Sequence, residues 1–107
     1  MDVKQYEVVL VNLEPTIGSE IKKTRPCLII SPDEMNRYLR TIVIAPLTKT
    51  SKPYPTRVEI EQAEVSGWVA LDQIRTIDRQ RIIKKLGDIS APEIERVKSI
   101  IMETYVR

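Results

Sequence analysis

The sequence predicts one small, mainly β domain: a compact, strongly bent barrel of short strands closed by a single C-terminal α-helix. Three observations carry that expectation. The first two-thirds of the chain breaks into short apolar or alternating runs bounded by prolines and polar loops. One long helical pattern, with its own start signal, occupies the end. Only three glycines in 107 residues, and no glycine-rich phosphate loop, leave no room for a dinucleotide-binding α/β sheet. A chain of this length forms one domain around one core, and no repeat or linker divides it.

The elements follow in order. Tyr6-Glu7-Val8-Val9-Leu10-Val11-Asn12-Leu13 is rich in β-branched residues and is stopped by Glu14-Pro15. Thr16 to Thr24 is a polar loop of the kind that carries function on small β proteins. Cys27-Leu28-Ile29-Ile30 is short and continuously apolar, the pattern of a strand buried on both faces. In Ser31-Pro32-Asp33-Glu34 a capping residue precedes a proline at the first helical position, predicting a short helical turn to about Asn36. Thr41 to Thr48 is the next strand, and Pro46, which has no N–H for a ladder, implies a bulge or an edge.

Lys49 to Pro55 is a basic, proline-bearing loop, after which Thr56 to Glu61 alternates outward and inward as a half-buried strand. Gly67 to Ile77 reads as one further strand, and Ile82-Ile83 with Leu86 as a short one. Ser90-Ala91-Pro92-Glu93 is a capping box, with Ser90 at the N-cap and Glu93 three residues on. Ile94, Val97, Ile101 and Tyr105 then share one helical face, with Ile100 beside them. The expected core is Val9, Val11, Leu28, Ile30, Val43 and Leu71, with the helix laid on the barrel or on a partner subunit.

Composition excludes whole classes of chemistry. With 42% hydrophobic and 30% charged residues the chain is too apolar for intrinsic disorder. No apolar run approaches the ~20 residues of a membrane span. The start Met1-Asp2-Val3-Lys4 lacks a signal-peptide core, so a cytoplasmic location without membrane contact is expected. There is no histidine and one cysteine, Cys27. That removes internal disulfides, Cys/His zinc sites, Ser-His-Asp and Cys-His nucleophiles, and two-histidine transesterification of RNA. No cofactor and no metal site are expected. Five aromatic residues make a broad base-stacking platform unexpected as well.

Charge is unevenly spread. Residues 22–57 hold eight Lys/Arg against Asp33 and Glu34, whereas residues 58–72 are net −4 and residues 73–87 net +4. A basic middle within a chain of net charge +2 suits an anionic partner held at one patch, against the alternative of a merely solvated surface.

Several side chains could carry chemistry, each with a structural alternative. Pro26 biases Arg25 toward an extended backbone, fixing a planar guanidinium at the mouth of the polar loop near Lys22 and Lys23. Otherwise Arg25 lies along the barrel surface. Thr48 ends a buried strand beside a basic loop, or its hydroxyl satisfies strand-end backbone. Asp72-Gln73 interrupts an apolar strand and needs partners, which for Asp72 would be Arg75 or Arg79 if the role is structural. Glu20 is a loop carboxylate, solvated or basic in the catalytic sense. Cys27 reads as a core residue rather than a nucleophile, and Trp68 as packing.

The order of these residues is more specific than any one of them. Asn12-Leu13-Glu14-Pro15-Thr16-Ile17-Gly18-Ser19-Glu20, then Lys23-Thr24-Arg25-Pro26-Cys27-Leu28-Ile29-Ile30-Ser31-Pro32-Asp33, with Asn36, Ala45-Pro46-Leu47-Thr48 and Asp72-Gln73-Ile74-Arg75-Thr76-Ile77-Asp78-Arg79, resembles the MazF/PemK/Kid family of toxin–antitoxin toxins over essentially the whole chain. The resemblance implies a dimeric, SH3-like barrel that cuts single-stranded RNA at preferred sequences. It implies a catalytic pair, Arg25 and Thr48, with Glu20 as the loop carboxylate. RNA binding is expected at Ser19, Lys22, Lys23 and Lys49 in the two loops and at Asp72 and Gln73, which match the family's acidic–Gln pair and would orient the RNA together. It also implies a cognate antitoxin, whose acidic, partly disordered segment suits the basic middle of the chain. Ser19 and Ala70 stand where some members carry His and Arg, so a mechanism using those groups is closed to this chain. The rivals are a non-catalytic module of the same fold, resembling the CcdB gyrase poisons, and a degenerate relative kept to bind antitoxin.

Overall fold

The computed structural model describes residues 2–14, 18, 23–62 and 65–106. Among these residues the chain forms β1 (Glu7–Asn12), β2 (Thr24–Ile29), α1 (Asp33–Tyr38), β3 (Thr41–Thr48), β4 (Arg57–Glu61), β5 (Ser66–Ala70), β6 (Arg75–Asp78), β7 (Ile82–Asp88) and α2 (Ala91–Ile101). Every strand pair is antiparallel, in the order β4-β5-β3-β2-β1-β7, with β6 also on β3. The principal extents, 31 × 31 × 30 Å, show that this sheet is curled rather than flat. The mainly β barrel with one C-terminal helix is therefore the architecture found.

The central strands are buried on both faces, as the apolar run at Cys27 predicts. Val8, Leu28, Ala45 and Leu47 face Val58, Ile60, Val69, Leu71 and Val97 on one side. Val9, Val11, Cys27, Ile29, Ile42 and Ile44 face Ile77 and Ile82 on the other. Full burial of each such Val, Leu or Ile contributes about 1.5–3 kcal/mol of transfer free energy. Ile30 and Val43, expected in the core, are only half-buried. They meet through Ile30 N–H donating to Val43 O, just past the end of β2, where the chain leaves the ladder.

The expected strand Gly67 to Ile77 is broken in two. β3 pairs with β5 through Leu47 and Thr48, and with β6 from Thr41 to Ile44. Between those partners Ala45 and Pro46 face five residues, Ala70 to Ile74, and the excess coils into a 3₁₀ turn at Leu71–Gln73. Pro46, which has no N–H to offer a ladder, stands where β3 changes partner.

The helix starts differ from each other. α1 has Pro32 at its N-cap with no side-chain cap bond. Ser31 does not cap it, because its Oγ accepts from Val43 N–H at 3.1 Å and donates to Asn36 Oδ1 at 2.5 Å. α2 carries the expected capping box, Ser90 N–H to Glu93 Oε1 at 2.8 Å and Glu93 N–H to Ser90 Oγ at 3.3 Å. Of its apolar face only Val97 is fully buried, while Ile94, Ile100 and Ile101 are half-buried. Tyr105 stands in a wide π turn, Met102–Val106, 54% exposed, with its hydroxyl donating to Leu71 O at 2.6 Å. No helix among the described residues is long and apolar enough to cross a membrane.

Candidate functional site

Arg25 is the second residue of β2 and pairs with Val11 of β1, extended as Pro26 requires. The β2–β3 ladder runs Ile29↔Ile44, Leu28↔Ala45, Cys27↔Pro46. Continued by two residues along each strand, that register sets Arg25 opposite Thr48. Alternation places Arg25 on the face of Cys27, and Arg75, which pairs with Ile44, joins it from β6. Electrostatics agrees with this placement. Burial pushes the Cys27 thiol up to about 12, and the charges of Arg75 and Arg25 both pull against that rise. A fully buried, protonated thiol is a core residue, as expected.

Thr48 ends β3 half-buried, and its Oγ1 donates to Thr50 O at 2.9 Å, so strand-end backbone does hold the hydroxyl. Trp68 of β5 lies directly opposite it, half-buried. Gly67, at φ +151°, brings its own backbone so close that an added Cβ would stand 2.6 Å from Thr48 O. Gly67→Ala must therefore push β5 off the end of β3 or shift Thr48. A loss of about 1–3 kcal/mol is expected from overpacking and an unfavourable φ. Calorimetry showing an unchanged melting temperature would refute the tight contact.

Ser19, Glu20 and Lys22 lie outside the described residues. The neck of their loop is visible: Lys23 N–H donates to Glu14 Oε1 at 2.8 Å, and Leu13 N–H to Lys23 O at 3.1 Å. Arg81 Nη1 donates to Asn12 O at 3.2 Å and also to Glu14 O. Lys23 is exposed, with φ at +71°, and Lys49 is exposed at the start of the second loop.

Asp72 and Gln73 lie in the 3₁₀ turn rather than within a strand. The structural partner of Asp72 is Arg57, not Arg75 or Arg79: Nε to Oδ1 at 2.7 Å and Nη2 to Oδ2 at 3.0 Å. Hydrogen bonds from Arg57 hold the Asp72 carboxyl below the usual carboxylate range, and the same contact raises Arg57. Arg79 instead donates to Leu39 O at 2.6 Å and to Asn36 O, behind α1. The structure thus gathers Arg25, Thr48 and Arg75 on one face, two guanidiniums and a hydroxyl suited to a phosphate. Sequence reasoning passed over Arg75 as a site residue, although strand alternation with the buried Ile77 could have placed it. Nothing local marked Arg57 as the partner of Asp72, fifteen residues away.

Comparison with known proteins extends this picture. The family model of PemK-like, MazF-like toxins of type II toxin–antitoxin systems matches residues 4–105. Endoribonuclease EndoA of Bacillus subtilis (strain 168) is 35% identical over 103 residues, covering 91% of this chain and 89% of that protein. Endoribonuclease MazF of Staphylococcus saprophyticus is 33% identical over 105 residues, covering 92% and 88%. The crystal structure of MazF (Form-I) from Deinococcus radiodurans superposes with a TM-score of 0.87 at 28% identity, covering 96% of each chain. An endoribonuclease in complex with its cognate antitoxin, from a mycobacterial species, shares the fold at a TM-score of 0.81 and 22% identity, over 94% and 92% of the two chains. A family match from end to end, joined to relatives more than 30% identical, makes this chain a member of the PemK-like, MazF-like toxins of type II toxin–antitoxin systems.

Proposed function

We propose that this chain, an endoribonuclease toxin of the MazF type, cuts single-stranded RNA at preferred sequences by attack of an internal 2′-hydroxyl on the adjacent phosphorus, without a metal. The observation that carries this reading is the β2–β3 register, which, continued two residues past Cys27↔Pro46, brings Arg25 toward Thr48, with Arg75 on the same face. Attack forms the 2′-O–P bond and breaks the P–O5′ bond. Negative charge gathers on the phosphorane oxygens in between. Arg25 is assigned to neutralise that charge through its planar fork and to supply the proton that the leaving 5′-oxygen takes up. Thr48 turns its hydroxyl from Thr50 O to the phosphoryl group. Removing one donor aimed at charge that develops in the transition state costs roughly 3–4 kcal/mol. Glu20 is assigned the proton of the 2′-hydroxyl.

Ser19, Lys22, Lys23, Lys49 and Gln73 are assigned to RNA, since base edges on single strands are read by loop pockets. Two partners belong to the same proposal. An acidic, partly disordered antitoxin segment suits the basic stretch 22–57, and the antitoxin-bound mycobacterial relative supports that pairing. A second copy of the chain would cover apolar surface left open at the C-terminus, where Met102 is 57% and Val106 61% exposed.

The test is direct. Purified protein incubated with a long unstructured RNA in EDTA should yield discrete fragments with 2′,3′-cyclic phosphate and 5′-hydroxyl ends. Intact RNA across a wide range of sequences would move the reading to a binding module of the same fold.

A further inference from the structure

Asp72 has little left over for RNA. Its Oδ1 accepts from Arg57 Nε at 2.7 Å and from Thr56 Oγ1 at 3.0 Å, while its Oδ2 accepts from Arg57 Nη2 at 3.0 Å. The remaining guanidinium nitrogen, Arg57 Nη1, donates to Ser51 Oγ at 3.1 Å, and the Tyr54 ring centre lies 5.6 Å from the guanidinium carbon. Backbone bonds run beside these, from Leu71 N–H to Thr56 O and from Arg57 N–H to Tyr54 O, each 3.0 Å. One carboxylate therefore joins the 3₁₀ turn to Thr56 directly and, through Arg57, to Ser51 and Tyr54 of the loop that begins directly after Thr48.

We propose that the Asp72–Arg57 pair is a clasp fixing the basic loop Lys49–Pro55 beside Thr48, so that Asp72 is a positioning residue for RNA cutting and Gln73 alone of that pair meets RNA. This rests on the function proposed above and deepens it. The bidentate geometry, with the Arg57 side chain 13% and the Asp72 side chain 37% exposed, sets the pair apart from a loose surface ion pair. Thr48 Oγ1 is itself bonded to Thr50 O inside the same loop. The loop leaves β3 directly at Thr48, so its displacement reaches the catalytic residue through the chain itself, and in the free protein also through that bond. Without the clasp, a loop with prolines at 53 and 55 would be tethered chiefly by its ends.

The experiment reads the loop and the chemistry separately. Limited trypsin digestion of the full chain, well below each variant's melting temperature, is followed by mass spectrometry of the 1–49 fragment, because Lys49-Thr50 is cleavable whereas Lys52 is followed by proline. Asp72→Ala and Arg57→Ala should each speed that nick, and lower kcat/KM on RNA, by about tenfold, with the double variant no worse than either single, as expected for two halves of one contact. The charge-reversed pair, Asp72→Arg with Arg57→Asp, should recover part of the protection. A nick rate unchanged in Asp72→Ala while RNA cutting falls would overturn the clasp and return Asp72 to direct RNA contact. A wild-type protein that cuts no RNA would instead refute the proposed function, and the protection of Lys49 would then decide the clasp by itself.

Discussion

Arg25→Ala is expected to lower single-turnover RNA cutting by at least ~10³-fold while leaving the fold intact. The lower end follows from a single oxyanion donor, whose removal costs roughly 10²- to 10³-fold, to which Arg25 adds a full charge and a second N–H. The backbone of residue 25 stays paired with Val11, and the half-buried side chain is absent from both core clusters, so little packing is lost. Arg25→Lys should fall between the two, because an ammonium keeps the charge but lacks the fork that spans two phosphoryl oxygens. The same assay with a single 2′-deoxy group at the cut site should show no product. A variant within tenfold of wild type, or a cut deoxy substrate, would sink the mechanism.

The largest stability effect is expected at Glu93. This side chain is 4% exposed and accepts three hydrogen bonds, the first from Ser90 N–H at its own helix start. Beyond the capping box, its Oε2 accepts from Glu61 N–H at 2.8 Å, and its Oε1 from Gln62 Nε2 at 2.5 Å. One carboxylate thus caps α2 and ties it to the end of β4. Glu93→Ala strands three partly buried donors, each costing about 1 kcal/mol, at the low end of the range for buried ones, so a loss of about 3 kcal/mol is expected. For a domain of this length that lowers the melting temperature by roughly 12 °C. Burial alone would raise the Glu93 carboxyl, but the hydrogen bonds from Glu61, Ser90 and Gln62 outweigh it and hold its pKa below the usual value.

That direction sets a pH dependence. A carboxyl whose pKa is lower folded than unfolded adds stability that is fully present above the unfolded value of ~4.3 and fades as pH falls through the folded one. Denaturant midpoints should therefore drop below about pH 4 in the wild type, and Glu93→Gln should flatten that part of the curve. A midpoint unchanged in Glu93→Ala at neutral pH would show that α2 is held by its apolar face alone.

Local rules explain what could be read from the chain directly. The capping box at Ser90-Glu93, the alternation through Arg57–Glu61 and the doubly buried run at Cys27 depend on neighbours within about four residues, and all three were legible. The family resemblance singled out Arg25 and Thr48 by their order along the chain, without any geometry. The same local rules read Gly67 to Ile77 as one strand, because each half obeys them. Only the pairing of both halves with β3, with five residues facing two, shows the break. They also gave Asp72 the wrong structural partner, choosing arginines close in sequence over Arg57.

Residue order alone specifies a small mainly β domain with a capped C-terminal helix, a chemistry without histidine, and the set of residues from which a site could be built. The folded sheet sets which of them share a face or touch: Arg25 on the face of Thr48 and Arg75, Asp72 against Arg57, Gly67 against the backbone of Thr48, and Glu93 against the end of β4. The physical reason is the ladder itself. Side-chain alternation is set within a strand, but register is set between strands, and a shift of one residue in β2 or β6 would turn Arg25 or Arg75 to the other face.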